Sequence, residues 1–176
     1  DGGLLPLDRA KVGKIAVVGP WANKARLGDN GSSNVTPSYA VGPYEGIAAI
    51  AGEGVEVVTS SDAAAADGAD VVIVIGALTQ KEEGEAILQG GDRDDLELSE
   101  TQEKLINEVS ATVDKVIVIL EAGGPITMED WGDSADAIVM AWYPGMEGGY
   151  AMGDVIFGDH NFSGRTIQTW PKSLDD

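Results

Sequence analysis

Five short apolar runs, rich in valine and isoleucine, recur at wide intervals and limit the folds open to this chain. They are Lys14–Val18, Val55–Val58, Val71–Ile75, Val116–Leu120 and Ala137–Ala141. Each run is nearly continuous and does not alternate between apolar and polar residues, which is typical of strands covered on both faces. Segments of helical character lie between several of the runs. The pattern therefore predicts a parallel sheet whose strands are joined by helices.

The intervening segments predict where those helices begin and how the sheet ends. Ser99 and Gln102 have the spacing of a capping box, in which Ser99 accepts from the Gln102 amide while the Gln102 side chain reaches back. Arg165–Trp170 is predicted to add a last edge strand, ended by Pro171. Further helices are predicted over Pro43–Ala51, Ser61–Ala66 and Gly148–Phe157. We therefore expect a three-layer α/β sandwich, with a mostly parallel sheet of about six strands and helices on both faces.

Charge and residue content argue against several classes of function. The 176 residues include 30 acidic and 11 basic side chains, and the net charge of −19 disfavours nucleic acids and anionic membranes as partners. The chain has no cysteine, and its single histidine, His160, supports neither a Ser-His-Asp site nor a metal cluster. No apolar run approaches the ~20 residues needed to span a bilayer. We expect a soluble domain without cofactor or metal.

Two predicted connections are unusually long, and both follow strands at the same edge of the sheet. Gly19–Gly42 and Gly76–Leu98 span about 24 and 23 residues, whereas such connections usually have ~2–6 residues. Ligands of parallel sheets bind beyond the carboxyl ends of the strands. The first loop lacks both glycine-rich phosphate motifs, which argues against nucleotide binding. Its stretch Gly28–Asn34 either offers polar groups to sugar hydroxyls or is an ordinary turn-rich loop.

The second long loop carries a dense acidic cluster. Glu82, Glu83 and Glu85 fall within four positions, and mutual repulsion plus burial against a ligand would raise the pKa of one of them toward that of a general acid. Glycosidases need such a protonated carboxyl beside a second carboxylate. On composition alone a solvated acidic loop is the simpler interpretation. Asp92 and Arg93 further along could form a local ion pair.

Eight short motifs follow one another along the chain. They are Gly2–Leu7, Gly28–Ser33, Pro43–Ile47, Glu83–Glu85, Gly91–Asp94, Trp142–Gly149, Phe157–Arg165 and Trp170–Ser173. Each motif is weak alone, but the set spans essentially the whole chain in order. Together they resemble the C-terminal α/β domain of glycoside hydrolase family 3, in particular its bacterial β-glucosidase-like members.

The resemblance implies particular site residues. In this family an N-terminal (β/α)-barrel supplies an aspartate nucleophile, and the second domain adds an acid/base glutamate in the loop before the Asp-Arg pair. That places the acid/base role on Glu85, which follows a glycine, with Glu83 as second choice. Asp29, Ser32 and Ser33 lie where the second domain touches the sugar or braces the domain interface.

The resemblance also implies that the active site is shared between two domains. Residues 1–176 are predicted to form one family 3 C-terminal domain, residues 1–12 being the end of an interdomain linker, with the barrel absent from this chain. The implied function is retaining, exo-acting hydrolysis of terminal non-reducing β-D-glucosyl residues, and the isolated chain is expected to be inactive. The expected partners are a β-glucoside or oligosaccharide substrate and the barrel. The alternative is a stand-alone carbohydrate-binding or assembly module. The sequence does not distinguish a bacterial cytoplasmic location from a periplasmic or a secreted one.

Overall fold

A five-stranded, wholly parallel sheet forms the centre of the domain. The computed structural model describes residues 3–28, 30–32, 34–85 and 93–176. The strands are β1 (Lys14–Val18), β2 (Glu56–Ser60), β3 (Val71–Ala77), β4 (Val116–Glu121) and β5 (Ala137–Met140). Their order across the sheet is β2-β1-β3-β4-β5. The predicted parallel sheet is thus confirmed, and its five strands lie at the five apolar runs.

The central strands are buried on both faces, as their continuous apolar sequence requires. All seven residues of β3 are buried. Val17, Ile73 and Ile117 are paired in register across three neighbouring strands, and none of them is exposed. Burial of each such side chain stabilises the fold by about 1.5–3 kcal/mol. The alternation of side chains along each strand divides the core into two clusters, one on each face of the sheet.

Helices cover both faces and complete the predicted three layers. The helices are α1 (Pro43–Ala51), α2 (Gln80–Glu83), α3 (Glu100–Ser110) and α4 (Gly148–Phe157), with 3₁₀ turns at Ala63–Ala66 and Gly132–Ser134. On one face, α1 and α4 pack against the odd-numbered residues of β1, β3 and β4 through Ile47 and Ile156. On the other face, α3 packs through Ile106 and Val109. No helix in the described ranges has the length and hydropathy to cross a bilayer.

The crossing of α1 and α4 depends on glycines. A Cβ atom on Gly46 would lie 1.9 Å from the backbone carbon of Gly149, and one on Gly149 would lie 2.1 Å from the carbonyl oxygen of Gly42. Neither neighbour is a side chain that could rotate away. The two helix backbones are therefore in direct contact, and this contact is possible only without side chains at the crossing.

The predicted sixth strand is wrong. Arg165–Trp170 has no strand structure, and Ile167 is 82% exposed. An apolar groove lined by Ile138, Met140 and Trp170 separates the segment from β5, so its backbone cannot join the ladder. Trp170 instead packs against the second core cluster. The tertiary contact of one large aromatic side chain overrides the strand propensity of the segment.

The predicted capping box at Ser99 is also wrong, although α3 begins there. The Ser99 side chain caps no backbone N–H group and accepts from the Gln102 side-chain Nε2 at 3.1 Å. The buried Gln102 side-chain amide also accepts from the Ala77 N–H at 2.8 Å and donates to the Ala77 carbonyl at 3.1 Å. These two groups at the end of β3 are buried and need partners, and the single Gln102 amide satisfies both of them.

Candidate active site

The strand order creates a crevice at one edge of the sheet. The connection from β1 leads to α1 on one face, whereas the connection from β3 leads to α3 on the opposite face. Because β1 and β3 are neighbours, their following loops diverge at the carboxyl end of the sheet. Such a topological switch point is the usual ligand site of open parallel sheets. The two long loops noted in the sequence are the two that border it.

A hydrogen bond from a backbone amide to a side-chain carboxylate joins these loops at the crevice. The Ser32 N–H donates to Glu85 Oε1 at 2.7 Å, across 53 residues of sequence. The Glu85 residue is half-buried. Two of the predicted site residues, Ser32 and Glu85, are therefore in contact. Asp29 and Ser33 lie outside the described residues.

Glu83 occupies a more enclosed position two residues before Glu85. Its side chain is 8% exposed, and its Oε2 atom accepts from the Gly123 N–H at 2.8 Å and from the Tyr143 hydroxyl. Arg93 Nη1 lies 3.7 Å from Glu83 Oε1 and donates to the Pro125 carbonyl at 2.6 Å. Glu83 thus connects the loops that follow β3, β4 and β5. Asp92, the ion-pair partner suggested for Arg93 from sequence, lies outside the described residues.

Glu82 has a local structural role. Its Oε2 atom accepts from the Thr79 N–H at 2.7 Å and from the Thr79 hydroxyl, and the Lys81 N–H donates to the Thr79 side chain at 3.1 Å. This is a capping box at the start of α2. Burial raises the pKa of Glu82, but the hydrogen bonds from Thr79 outweigh it and hold the pKa below its ordinary value. The three glutamates of the cluster therefore differ in environment.

A fourth carboxylate beneath the crevice was not recognised from sequence. Glu121 ends β4 and is 1% exposed, and neither carboxylate oxygen has a hydrogen-bond partner within the described ranges. Burial raises its pKa to about 8, and the nearby Arg26 charge and backbone amide offset only part of that increase. The buried Arg26 donates from Nη2 to the Leu78 carbonyl at 2.6 Å. A charged residue ending an otherwise apolar run was the available signal.

Replacing Glu121 by glutamine should make the domain more resistant to alkaline pH. The folded-state pKa of about 8 exceeds the ordinary 4.5, so the folded state holds the proton more tightly and the free energy of unfolding falls as pH rises through this window. Full ionisation costs on the order of 5 kcal/mol at 1.36 kcal/mol per pH unit. Urea denaturation at pH 5 to 8 should show the variant gaining several kcal/mol relative to the parent as pH rises. The exposed Glu53→Gln is the control, and parallel pH curves for the Glu121 variant and the parent would contradict the prediction.

Among the described residues, no three His, Asp or Glu side chains gather in a way that could hold a metal ion. The described groups at the crevice are carboxylates, backbone amides and a tyrosine hydroxyl. Two half-buried or buried carboxylates at one sheet edge are the groups that acid-base chemistry uses.

Comparison with known proteins identifies the family of this domain. The family model described as the glycosyl hydrolase family 3 C-terminal domain matches residues 1–176. The chain belongs to this family. The motif-based resemblance is thus confirmed over the whole family 3 domain.

Individual relatives agree with this assignment. A beta-xylosidase of Formosa agariphila is 31% identical over 99% of this chain and 26% of its own length. An exo-alpha-(1->6)-L-arabinopyranosidase of Bifidobacterium breve is 32% identical over 100% of this chain and 25% of its own length. The structure of a beta-D-glucoside glucohydrolase from Trichoderma reesei superimposes with a TM-score of 0.86 at 31% identity, covering 100% of this chain and 28% of that chain. The family 3 domain spans about a quarter of the length of the curated relatives it matches.

Proposed function

We propose that this domain is the second domain of a retaining, exo-acting β-glycosidase that releases terminal non-reducing β-D-glucosyl residues, and that Glu85 is its general acid/base. The observation that carries the proposal is the position of Glu85 at the β1/β3 crevice, held by the Ser32 N–H of the opposite loop. Matched relatives are named as a thermostable beta-glucosidase B of Acetivibrio thermocellus and as beta-xylosidases. Both names describe enzymes that hydrolyse a glycosidic bond.

The environments of the two candidate glutamates favour Glu85. Both Glu83 oxygens face protein groups, namely the Gly123 N–H, the Tyr143 hydroxyl and the Arg93 guanidinium. A general acid must reach the glycosidic oxygen of the substrate at hydrogen-bonding distance. Both residues are half-buried in the loop that borders the crevice, and the Glu83 side chain itself is 8% exposed. Glu83 is therefore the second choice.

The proposed reaction has two steps that use one residue of this domain twice. In the first step the Glu85 carboxyl gives its proton to the glycosidic oxygen as the bond from that oxygen to the anomeric carbon breaks. An aspartate of the barrel forms the new bond to that carbon, its carboxylate lying about 5–5.5 Å from the acid as in retaining enzymes. In the second step the Glu85 carboxylate takes a proton from water, which displaces the aspartate. Ser32 is proposed to contact the sugar, together with Asp29 and Ser33. The last two lie outside the described residues.

The 176-residue chain alone should show negligible turnover of a nitrophenyl β-glucoside, because a general acid contributes only ~10²–10⁴-fold and the nucleophile is proposed to lie elsewhere. The same chain joined to a family barrel should hydrolyse it. Nitrophenyl glucoside, xyloside and arabinopyranoside, assayed side by side, should rank the sugars, and we expect the glucoside to give the highest kcat/KM. Robust hydrolysis by the 176-residue chain would contradict the two-domain proposal.

Calorimetric titration tests the alternative of a binding module. The isolated domain should bind glucose and cello-oligosaccharides at millimolar affinity or weaker, because it supplies only part of the sugar site. Micromolar binding without the barrel would favour a dedicated carbohydrate-binding module instead.

A further inference from the structure

We propose that Glu83 is a positioning residue, which fixes the loop that carries Glu85 by joining it to the loops after β4 and β5. This inference rests on the proposed function and assigns a distinct role to the second glutamate of the acidic cluster. Its basis is the set of contacts that converge on the Glu83 carboxylate, each of which comes from a different part of the chain.

The ion pair of Glu83 and Arg93 ties the residue two positions before Glu85 to another part of the domain. Arg93 Nη1 lies 3.7 Å from Glu83 Oε1 and donates to the Pro125 carbonyl in the loop after β4 at 2.6 Å. The side chains of Glu83 and Arg93 are 8% and 14% exposed, so solvent screens the pair less than a surface ion pair. The pair thus fixes the residue from which the chain runs to Glu85.

The chain between Glu83 and Glu85 is itself fixed. Gly84 is buried, and its N–H donates to the Gln80 carbonyl at 2.9 Å, which ends α2 at a defined residue. Beyond Gly84, the Ser32 N–H holds Glu85 Oε1 at 2.7 Å. A shift of the Glu83 carboxylate would therefore be passed to Glu85 over only two residues.

Two glycines bring the β4 loop close enough to take part. A Cβ atom on Gly123 would lie 3.2 Å from the Tyr143 ring and 3.5 Å from Glu83 Oε2. A Cβ atom on Gly124 would lie 3.4 Å from Arg93 Nη1. The backbone of the loop thus packs directly against the carboxylate and the guanidinium, leaving little space for either to move. This close fit is what a positioning role requires.

Glu83→Gln in a protein that joins this chain to its barrel should test the role. Glutamine keeps the size and an acceptor for the Gly123 N–H but removes the charge that pairs with Arg93. Displacement of a catalytic group by about 1 Å costs roughly 10²-fold, so we expect kcat for an alkyl β-glucoside to fall about 10- to 100-fold with KM little changed. The basic limb of the pH profile of kcat/KM should persist but shift, and azide should not accelerate turnover of the dinitrophenyl glucoside by this variant. Glu85→Ala in the same protein should lose that limb, and azide should accelerate its turnover of the dinitrophenyl glucoside.

Two further variants separate positioning from a loss of stability. Glu82→Gln weakens the neighbouring capping box, so it should lower the thermal stability while leaving the pH profile unmoved. Tyr143→Phe removes only one hydroxyl contact to Glu83 and should shift the profile in the same direction as Glu83→Gln, to a smaller extent. This milder variant keeps the test decisive if Glu83→Gln does not fold.

Each alternative outcome has a defined meaning. Loss of the basic limb in Glu83→Gln, with that limb kept in Glu85→Ala, would make Glu83 the acid and overturn the positioning role. Profiles of Glu83→Gln and Tyr143→Phe identical to the parent would also overturn it. Glu85→Ala with unchanged activity would instead refute the proposed acid/base assignment, whatever the Glu83 variants do.

Discussion

Replacing Glu85 by alanine should lower kcat/KM for an alkyl β-glucoside by about 10²- to 10⁴-fold in a protein that joins this domain to its barrel. An alkoxide leaving group must be protonated as the bond breaks, and the variant lacks the Glu85 carboxyl that is proposed to supply that proton. A dinitrophenolate leaves without protonation, so the first step with the dinitrophenyl glucoside should change little. The measurement is the initial rate with both substrates, with and without azide.

Azide gives this prediction a second, independent signature. A small anion can occupy the space left by the Glu85 side chain and attack the covalent intermediate without needing a general base. It should therefore accelerate turnover of the dinitrophenyl glucoside by the variant and yield a β-glucosyl azide. Glu53→Ala, an exposed carboxylate in the turn after α1, is the control and should behave as the parent. Equal losses with both leaving groups, and no effect of azide, would show that Glu85 is not the acid.

Gly46→Ala should destabilise the domain by at least about 3 kcal/mol, the upper end of the usual cost of overpacking. The added methyl group would lie 1.9 Å from the Gly149 carbon and 2.2 Å from its carbonyl oxygen, so one helix backbone must move. Alanine is otherwise the better helix former by about 1 kcal/mol, which makes any loss attributable to the crossing. Urea denaturation of the 176-residue chain should show a lower midpoint with an unchanged slope.

A matched glycine outside the crossing supplies the control. Gly164 is exposed, and a Cβ atom built on it meets nothing within 4 Å. Gly164→Ala should therefore change the free energy of unfolding by no more than about 0.5 kcal/mol. If Gly46→Ala were as stable as this control, α1 and α4 could separate without loss, and the direct backbone contact would not be a determinant of the fold.

The layers of the fold could be predicted because their signals are local and repeated. Runs such as Val71–Ile75 and Val116–Leu120 are too apolar to be exposed, and their β-branched residues favour strands. The prediction of a sixth strand was wrong because of tertiary packing, which a local sequence pattern does not show. Arg165–Trp170 has suitable residues, but Trp170 packs elsewhere, and a groove separates the segment from β5. Gln102 likewise has the spacing of a capping residue but bonds to Ala77, which is 25 residues away.

The meeting of the two long loops was predictable from sequence, but the environments of their side chains were not. Both loops follow parallel strands, whose carboxyl ends lie together at one edge of the sheet, and the Ser32–Glu85 hydrogen bond joins them there. Glu121 was overlooked because a charged residue at the end of an apolar run is a signal of the strand end, and whether its side chain is buried depends on the packing around it. Its buried position beside Arg26 follows from packing beneath the crevice.

The sequence by itself determined the parallel α/β sheet, the edge at which its two long loops meet and, through its ordered motifs, membership of family 3. Only the tertiary structure distinguished the environments of three glutamates that stand within four positions of one another. Glu82 bonds to Thr79 three residues away, whereas Glu83 meets Gly123 across 40 residues and Glu85 meets Ser32 across 53. Chemically identical side chains acquire different properties from their partners, and those partners are brought together by the folding of the sheet.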